Sequence, residues 1–239
     1  MTLPLAIVTG GAQRLGKAFA LTLARMGYSI ALHYRHSVME AEKTVSEIRA
    51  LGVDCIAIRA DLTVPQKTEF LFRMADEFHA PLKALVNSAA IMPQGSPRDL
   101  ELLDWDSALD LNLRAPFLLS QQAARRMTDG GLIVNISDIG AQKAWSRYPS
   151  YTVSKAGLEA LTKTLARSFA PTIRVNAIAP GLVLPSDAVT PEQWKQLVER
   201  LPLKRPAAVE EITSALEFLV RNQYITGQTI VVDGGYSLT

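Results

Sequence analysis

Short apolar runs rich in β-branched residues alternate with segments of helical periodicity along the whole chain. The runs predict seven strands, at 5–8, 29–34, 55–58, 84–86, 132–136, 173–178 and 229–232. The segments between them predict helices near 14–27, 38–51, 66–79, 105–128, 149–169, 191–200 and 208–221. Such alternation is typical of parallel strands joined by right-handed crossovers, and ligands then bind at the carboxyl ends of the strands.

A glycine-containing turn, residues 9–16, follows the first strand and opens the first helix. A dinucleotide pyrophosphate requires backbone N–H groups and the positive end of a helix, and Gly10 and Gly16 supply the tight turn and the close approach. Leu15 belongs to the same predicted contact. The place where a middle glycine is expected holds Arg14, whose guanidinium would contact the cofactor phosphate or reach over it towards a substrate. The alternative is an exposed arginine in the first helical turn.

These patterns predict an α/β fold with a Rossmann-type doubly wound sheet. Its seven parallel strands would follow the order 3-2-1-4-5-6-7 with helices on both faces. Residues 1–239 would form one domain, because no linker, repeat or low-complexity segment divides them. The segment 180–191 has little pattern and follows the sixth strand. We expect it to belong to a lid over the substrate, within a substrate region at 185–205.

Composition narrows the classes of partner. A net charge of +2 gives no broad basic surface for nucleic acid. There is no apolar run long enough for a membrane span. The lone Cys55 fits a reducing compartment, so we expect a cytoplasmic protein. His33, His36 and His79 are scattered and apart from the cysteine, so no metal site is expected.

The end of the second predicted strand bears on the choice of cofactor. An acidic residue there commonly accepts the adenosine ribose hydroxyls, whereas a basic residue accommodates a 2′-phosphate. Here the strand ends in Tyr34, Arg35, His36 and Ser37, with no acid before Glu40. The sequence therefore favours NADPH over NADH, although a solvated loop is the alternative for the two basic residues.

Asp61 and Leu62 follow the third predicted strand. Asp61 is placed to bond the adenine edge of the cofactor, and Leu62 would lie beside it. The alternative for Asp61 is a turn aspartate that caps the next helix.

Tyr151 and Lys155 lie four residues apart in a helical segment and would project from one face. A phenol with a pKa near ~10 can act as a general acid, and a nearby ammonium would stabilise the phenolate. Lys155 would supply that cation and could also hold the nicotinamide ribose. The alternative is a surface pair on an amphipathic helix, which the presence of the upstream glycine turn disfavours.

With the glycine turn and the Tyr151/Lys155 pair, several further motifs make the chain resemble the short-chain dehydrogenase/reductase family over nearly its whole length. These motifs include Asn87-Ser88-Ala89-Ala90, Asn112, Asn135-Ile136-Ser137-Asp138, Pro180-Gly181 and Val232-Asp233-Gly234-Gly235. The resemblance implies that Tyr151 is the acid, that Lys155 binds ribose and that Asn112 helps to hold a proton-relay water. It also implies cofactor contacts from Asn87, Ser88, Ala89, Pro180 and Gly181. A homotetramer or dimer is implied as well, assembled partly through the helix after Tyr151 at Ala156, Gly157 and Ala160.

Two departures from the general family point to a subgroup. Asp138 stands where the family usually carries a serine, and Ser137 should face the other way because strand side chains alternate. Together with Arg14, this aspartate makes the chain resemble the pteridine reductases. Tyr148 is a further similarity and a predicted substrate contact. Met92 occupies the place where that subgroup often has an aromatic ring that stacks on the pterin.

The sequence thus predicts an NADPH-dependent reductase that transfers hydride to a C=N bond of a pterin-like small molecule. Arg14 would bond the pterin carbonyl oxygen or bridge it to phosphate. Asp138 would either orient Tyr151 or accept a hydrogen bond from the amino side of the pterin. One alternative is a carbonyl reductase for a 3-oxoacyl chain, a sugar or a small ketone. The other is a catalytically silent regulator that binds a dinucleotide.

Overall fold

The structure is a computed structural model that describes residues 2–186 and 189–239. It contains one sheet of seven parallel strands in the order β3-β2-β1-β4-β5-β6-β7, so the predicted fold class is confirmed. The strands are β1 (Leu5–Val8), β2 (Ser29–Tyr34), β3 (Cys55–Arg59), β4 (Leu82–Asn87), β5 (Gly131–Ile136), β6 (Ile173–Pro180) and β7 (Thr229–Val232). Each lies within two residues of its predicted bounds.

The central strands are buried on both faces, which explains why they read as continuous apolar runs rather than as alternating ones. All four residues of β1 are buried, as are the first five of β2. The helices are α1 (Arg14–Arg25), α2 (Val38–Arg49), α3 (Pro65–Asp76), α4 (Leu102–Leu109), α5 (Ala115–Ala124), α6 (Pro149–Phe169), α7 (Pro191–Arg200) and α8 (Val209–Arg221). One apolar cluster packs α1, α2 and α8 against one face of the sheet, and a second packs α3, α5 and α6 against the other.

The predicted helix 105–128 differs from the structure. It begins earlier, at Leu102, and a π-helical turn at Asp110–Arg114 separates α4 from α5. A π turn accommodates one extra residue per turn without breaking the helix, so hydrophobic periodicity does not reveal it. The turn contains Asn112, which is buried. Such turns occur often at functional sites.

The segment that follows β6 contains part of the predicted substrate region. Of residues 185–205, Asp187 and Ala188 lie outside the described residues. Further along, Thr190 caps α7: its Oγ accepts a hydrogen bond from the Gln193 amide at 3.2 Å, and the Gln193 side chain accepts one from the Thr190 amide at 3.0 Å. This reciprocal arrangement fixes where α7 begins.

Candidate active site

A cavity of about 510 Å³ opens at the carboxyl ends of the strands, where the doubly wound fold places its ligands. It is lined by the turns that follow β1, β2, β3, β4, β5 and β6 and by the start of α6. Many of the predicted site residues line it: Gly10, Arg14, Leu15, Gly16, Arg35, His36, Ser37, Leu62, Ser88, Ala89, Asp138, Tyr151, Lys155, Pro180 and Gly181. The fold thus brings residues that are far apart in the sequence together at one cavity.

Four other predicted site residues, Asn87, Met92, Tyr148 and Tyr34, do not line the cavity. Asn87 is buried, and its amide donates to the Asn135 side chain at 2.8 Å, which ties β4 to β5. The Met92 side chain is 42% exposed. The Tyr148 ring meets Trp145 edge-on, with ring centroids 6.4 Å apart. Tyr34 ends β2 next to the residues that do line the cavity.

The glycine turn can adopt its tight conformation because its glycines lack side chains. Gly10 has a φ of +64°, which disfavours any residue with a Cβ. A Cβ on Gly16 would lie 2.0 Å from the Gly10 carbonyl oxygen. The turn is tied to the loop after β4 through Thr9, whose hydroxyl accepts from the amides of Ser88 and Ala89 at 2.9 and 3.1 Å. This cradle at the start of a helix fits a pyrophosphate.

Arg14 adopts the left-handed conformation, with a φ of +53°, at the position where a glycine is expected. Its guanidinium donates to the carbonyl oxygens of Pro185 and Leu184 at 2.9 and 3.0 Å. The side chain therefore joins the glycine turn to the segment after β6, a contact that neither sequence-based interpretation of this arginine included.

Arg35 and Asp61 face each other at the ends of β2 and β3. The Asp61 carboxylate also accepts from the amide and hydroxyl of Thr63 at 3.0 and 2.7 Å. Asp61 therefore shapes the turn after β3, while Val64 is the residue that precedes α3. The turn alternative predicted from sequence is close to what is observed, although Asp61 does not cap the helix.

Tyr151 donates its phenolic hydrogen to a carboxylate oxygen of Asp138 at 3.0 Å. The other oxygen of that carboxylate accepts from the Gly140 amide at 2.7 Å, which holds the group in place. Burial raises the pKa of Asp138, while the Gly140 amide opposes this shift. Burial and the neighbouring Asp138 charge raise the pKa of Tyr151 well above its usual range. The phenol therefore keeps its proton at neutral pH.

Lys155 lies beside Tyr151 on α6, and its ammonium is bound to the main chain at the end of β5. Its ammonium lies 5.6 Å from the centre of the Tyr151 ring and donates to the Ile136 carbonyl at 2.7 Å. The carboxylate of Asp138 is the closer charge and has the opposite effect on the phenol. Burial lowers the pKa of Lys155 to about 8, so the group is still mostly charged at neutral pH.

Asn112 holds the loop after β4 to the helix that carries Tyr151. Its side chain accepts from the Ile91 amide at 3.0 Å and donates to the Ile91 carbonyl at 2.8 Å. It also donates to Ser154 at 3.0 Å, and Ser154 donates to the Tyr151 carbonyl at 2.7 Å. The π turn thus links the loop and the tyrosine through polar contacts that are largely buried.

Strand alternation explains why the side chain of Asp138, and not that of Ser137, points to Tyr151. The Ser137 hydroxyl donates to Glu159 of α6 at 3.1 Å, away from Tyr151.

Sequence reasoning missed three residues that shape the site: Thr9, Gly140 and His33. A Cβ on Gly140 would lie 2.9 Å from the Trp145 ring and 3.0 Å from the Asp138 carboxylate. The sequence alone does not indicate that the Trp145 ring packs against Gly140.

No group of metal-binding side chains occurs within 2–186 and 189–239. Likewise, no helix in that part of the chain is long and apolar enough to cross a membrane.

Comparison with known proteins identifies relatives that share this architecture. A family model described as enoyl-(acyl carrier protein) reductase matches residues 10–237. The 3-oxoacyl-[acyl-carrier-protein] reductase FabG of Staphylococcus aureus is 35% identical over 237 residues, which is 96% of each chain. FolM alternative dihydrofolate reductase 1 from Brucella canis, solved with NADP, is also 35% identical; the alignment has a TM-score of 0.94 and covers 100% of this chain and 95% of that one. A blue fluorescent protein from a metagenomic library, solved with NADPH, is 32% identical with a TM-score of 0.92 and 98% coverage of both chains.

The chain therefore belongs to the short-chain dehydrogenase/reductase family. It is an oxidoreductase of the kind that uses a nicotinamide dinucleotide, which confirms the predicted class of cofactor.

Proposed function

We propose that this enzyme uses NADPH to reduce a C=N bond of a dihydropterin or a related heterocycle. The observation that carries the proposal is the hydrogen bond between Tyr151 and Asp138, 3.0 Å long, at the wall of the cavity. A carboxylate stands there instead of the serine hydroxyl that the family usually carries. The solved relative named as an alternative dihydrofolate reductase supports this choice of substrate class.

The chemistry of a carboxylate separates the two substrate classes. An ionised carboxylate only accepts hydrogen bonds, whereas a serine hydroxyl can also donate one. A ketone offers an acceptor oxygen and gains nothing from Asp138. The amino and ring N–H groups of a reduced pterin are donors, and Asp138 can accept them while its other oxygen stays on the Gly140 amide. The site is therefore better suited to an N–H-bearing heterocycle.

The chain's own residues would then act as follows. Bound NADPH supplies the hydride. Tyr151 is protonated at neutral pH, because burial and Asp138 keep its pKa high. It would donate that proton to the substrate as the general acid, although the raised pKa makes it a weaker acid than a free phenol. Lys155 and the turn at Gly10 would hold the ribose and pyrophosphate, and Asn112 would maintain the loop geometry next to the phenol. Asp138 would bind the substrate or orient Tyr151.

NADPH rather than NADH is the cofactor that the site favours. Arg35, His36 and Ser37 line the end of the cavity beyond the glycine turn. Their donors suit a 2′-phosphate, and no acidic residue from the end of β2 lines the cavity to accept ribose hydroxyls. Two solved relatives hold NADP and one holds NADPH.

The second candidate is an NADPH-dependent carbonyl reductase for a 3-oxoacyl chain. The 35% identity to 3-oxoacyl-[acyl-carrier-protein] reductase favours it. In that case Asp138 would replace the serine without a specific partner on the substrate.

We also propose assembly as a homotetramer or dimer through α6. An apolar groove between the π turn, α5 and α6 is lined by Leu113, Phe117, Gly157 and Leu161 among others. Phe117 is 39% exposed there. A second copy of the chain packed on this groove would bury that apolar surface, and sedimentation of the purified enzyme would show a single subunit if the proposal is wrong.

The deciding experiment is a steady-state screen of NADPH oxidation. Dihydrobiopterin, dihydromonapterin and dihydrofolate would be compared with 3-oxoacyl thioesters, quinones and small ketones, and Tyr151→Phe would serve as the control for non-enzymatic oxidation. We expect higher kcat/KM with at least one dihydropterin than with any thioester or ketone. Efficient ketone reduction with no dihydropterin reduction would establish the carbonyl reductase, and no turnover with the whole panel would support a silent regulator.

A further inference from the structure

His33 lies near the end of β2, is 2% exposed and contributes to the wall of the cavity. Its ring contacts two backbone groups on different segments. Nδ1 accepts from the Gly10 amide at 3.2 Å, and Nε2 lies 3.0 Å from the Ala60 carbonyl oxygen. The ring thus bridges the glycine turn after β1 and the turn after β3.

These two partners define the protonation of the ring. A backbone amide can only donate and a backbone carbonyl oxygen can only accept. Nδ1 must therefore be bare and Nε2 must carry the hydrogen. Burial lowers the pKa of His33 to about 4, against opposing effects of the Ala60 carbonyl and the Asp61 charge, so the ring is neutral at neutral pH.

Residue 33 also holds the next amide of the turn. The Gly11 amide donates to the His33 carbonyl oxygen at 2.9 Å. Two successive amides of the glycine turn, at Gly10 and Gly11, are thus bound by the side chain and the main chain of one residue. The turn needs such support because Gly10 has a φ of +64° and glycine has the most conformational freedom to lose.

On the other side of the ring, the Ala60 carbonyl immediately precedes Asp61, which pairs with Arg35 at 2.8 Å. Arg35 is two residues after His33 and lines the same cavity. The imidazole therefore connects the part of the site suited to pyrophosphate with the part suited to the adenosine end of a dinucleotide.

We infer that His33 is a positioning residue for the cofactor: through Nδ1 it holds the Gly10 amide, and so the glycine turn, in the conformation that receives a dinucleotide. Both ring nitrogens are occupied by main-chain groups, so the imidazole has no catalytic role in this inference. This role concerns the cofactor that the family uses and is independent of whether the substrate is a pterin.

The experiment uses two amide substitutions that each preserve one of the two hydrogen bonds. In His33→Asn the side-chain oxygen can take the place of Nδ1 and accept from Gly10, but it cannot reach Ala60. In His33→Gln the longer side chain can place an N–H where Nε2 donates to Ala60, but it leaves the Gly10 amide without its acceptor. Both lose one hydrogen bond, so their melting temperatures should fall by similar amounts.

Dissociation constants for NADPH would be measured by calorimetry on the folded variants. We expect His33→Gln to bind NADPH roughly fivefold more weakly than His33→Asn, the ratio that a lost hydrogen bond of ordinary strength produces. Equal affinities for the two variants would overturn the inference, because a merely structural histidine affects both alike.

A measurement on the unmodified protein keeps the test valid if the variants fail to fold. The chain has three histidines, so the ring ¹⁵N resonances can be assigned readily. We expect His33 to show a protonated Nε2 and a bare Nδ1 at neutral pH, and the Gly10 amide to be protected from hydrogen exchange. A protonated Nδ1 or a rapidly exchanging Gly10 amide would exclude the proposed contact.

Discussion

Arg35 and Asp61 form an ion pair of 2.8 Å across the ends of β2 and β3, and their side chains are 46% and 31% exposed. Exposed pairs contribute little to stability, ~0–1 kcal/mol. The pair therefore orients the guanidinium at the cavity without binding it strongly. A 2′-phosphate, with more charge and more acceptor oxygens than a carboxylate, can share or displace Asp61.

The first prediction concerns the choice of cofactor. NADPH should bind the unmodified enzyme more tightly than NADH, and Arg35→Asp should reduce this preference by roughly tenfold or more, because it removes a phosphate partner and adds repulsion. Calorimetric titration of both cofactors measures it. Asp61→Asn is the matched control, since it removes only the internal partner and should preserve the preference. Equal affinities in the unmodified enzyme would refute the assignment.

The second prediction concerns the proton donor. Tyr151→Phe keeps the ring and loses the hydroxyl, so turnover should fall by roughly 10² or more while the affinity for NADPH persists. Lys155→Met should damage both, because its ammonium is buried against the site. Single-turnover kinetics combined with NADPH titration separates the two effects. Unchanged turnover in Tyr151→Phe would place the proton source elsewhere.

The third prediction concerns substrate selectivity. Asp138→Ser should lower kcat/KM for a dihydropterin much more than for an activated ketone, because it replaces an acceptor with the donor that ketones require. The ratio of the two kcat/KM values is the measurement, and Asp138→Asn, which retains the size and one acceptor oxygen, is the control. A parallel loss for both substrates would mean that Asp138 only orients Tyr151.

The fourth prediction concerns acid stability. The pKa of His33 is about 4 in the folded protein instead of 6.5, so between these values the unfolded chain binds a proton that the folded chain does not. Stability contributed by the neutral ring is therefore present above pH 6.5 and decreases as the pH falls towards 4, by an amount on the order of 3 kcal/mol. Urea unfolding across this range measures it. His33→Asn should show a flatter dependence, and an identical slope in both proteins would contradict the prediction.

Much of the fold was predictable because its strands, helices and turns are determined by residues that are close together in the sequence. Strand runs, helical periodicity and the glycine turn predict the sheet order and most bounds. The exception, the predicted helix 105–128, contains a π turn stabilised by contacts of Asn112 with Ile91, which is distant in sequence. Contacts of that kind leave no periodic signal.

The site was predictable where a residue follows from its place at a strand end, or, for Tyr151 and Lys155, from spacing on a helix. The orientation of Asp138 towards Tyr151 and of Ser137 away from it follows from strand alternation. The contacts of Arg14 with Leu184 and Pro185, and of His33 with Gly10, join backbone groups that any sequence provides. They depend on how the loops meet, so the sequence alone does not reveal them.

The position of Arg14 affects how kinetic data on this enzyme must be interpreted. Its main chain shapes the turn suited to the cofactor, while its guanidinium holds the carbonyls of Leu184 and Pro185 in the segment after β6. Removing the side chain disturbs both neighbourhoods at once, so the apparent affinities for the two ligands should change together. The two binding sites should then be thermodynamically coupled: each ligand should bind better when the other is present, and Arg14→Ala should weaken that cooperativity.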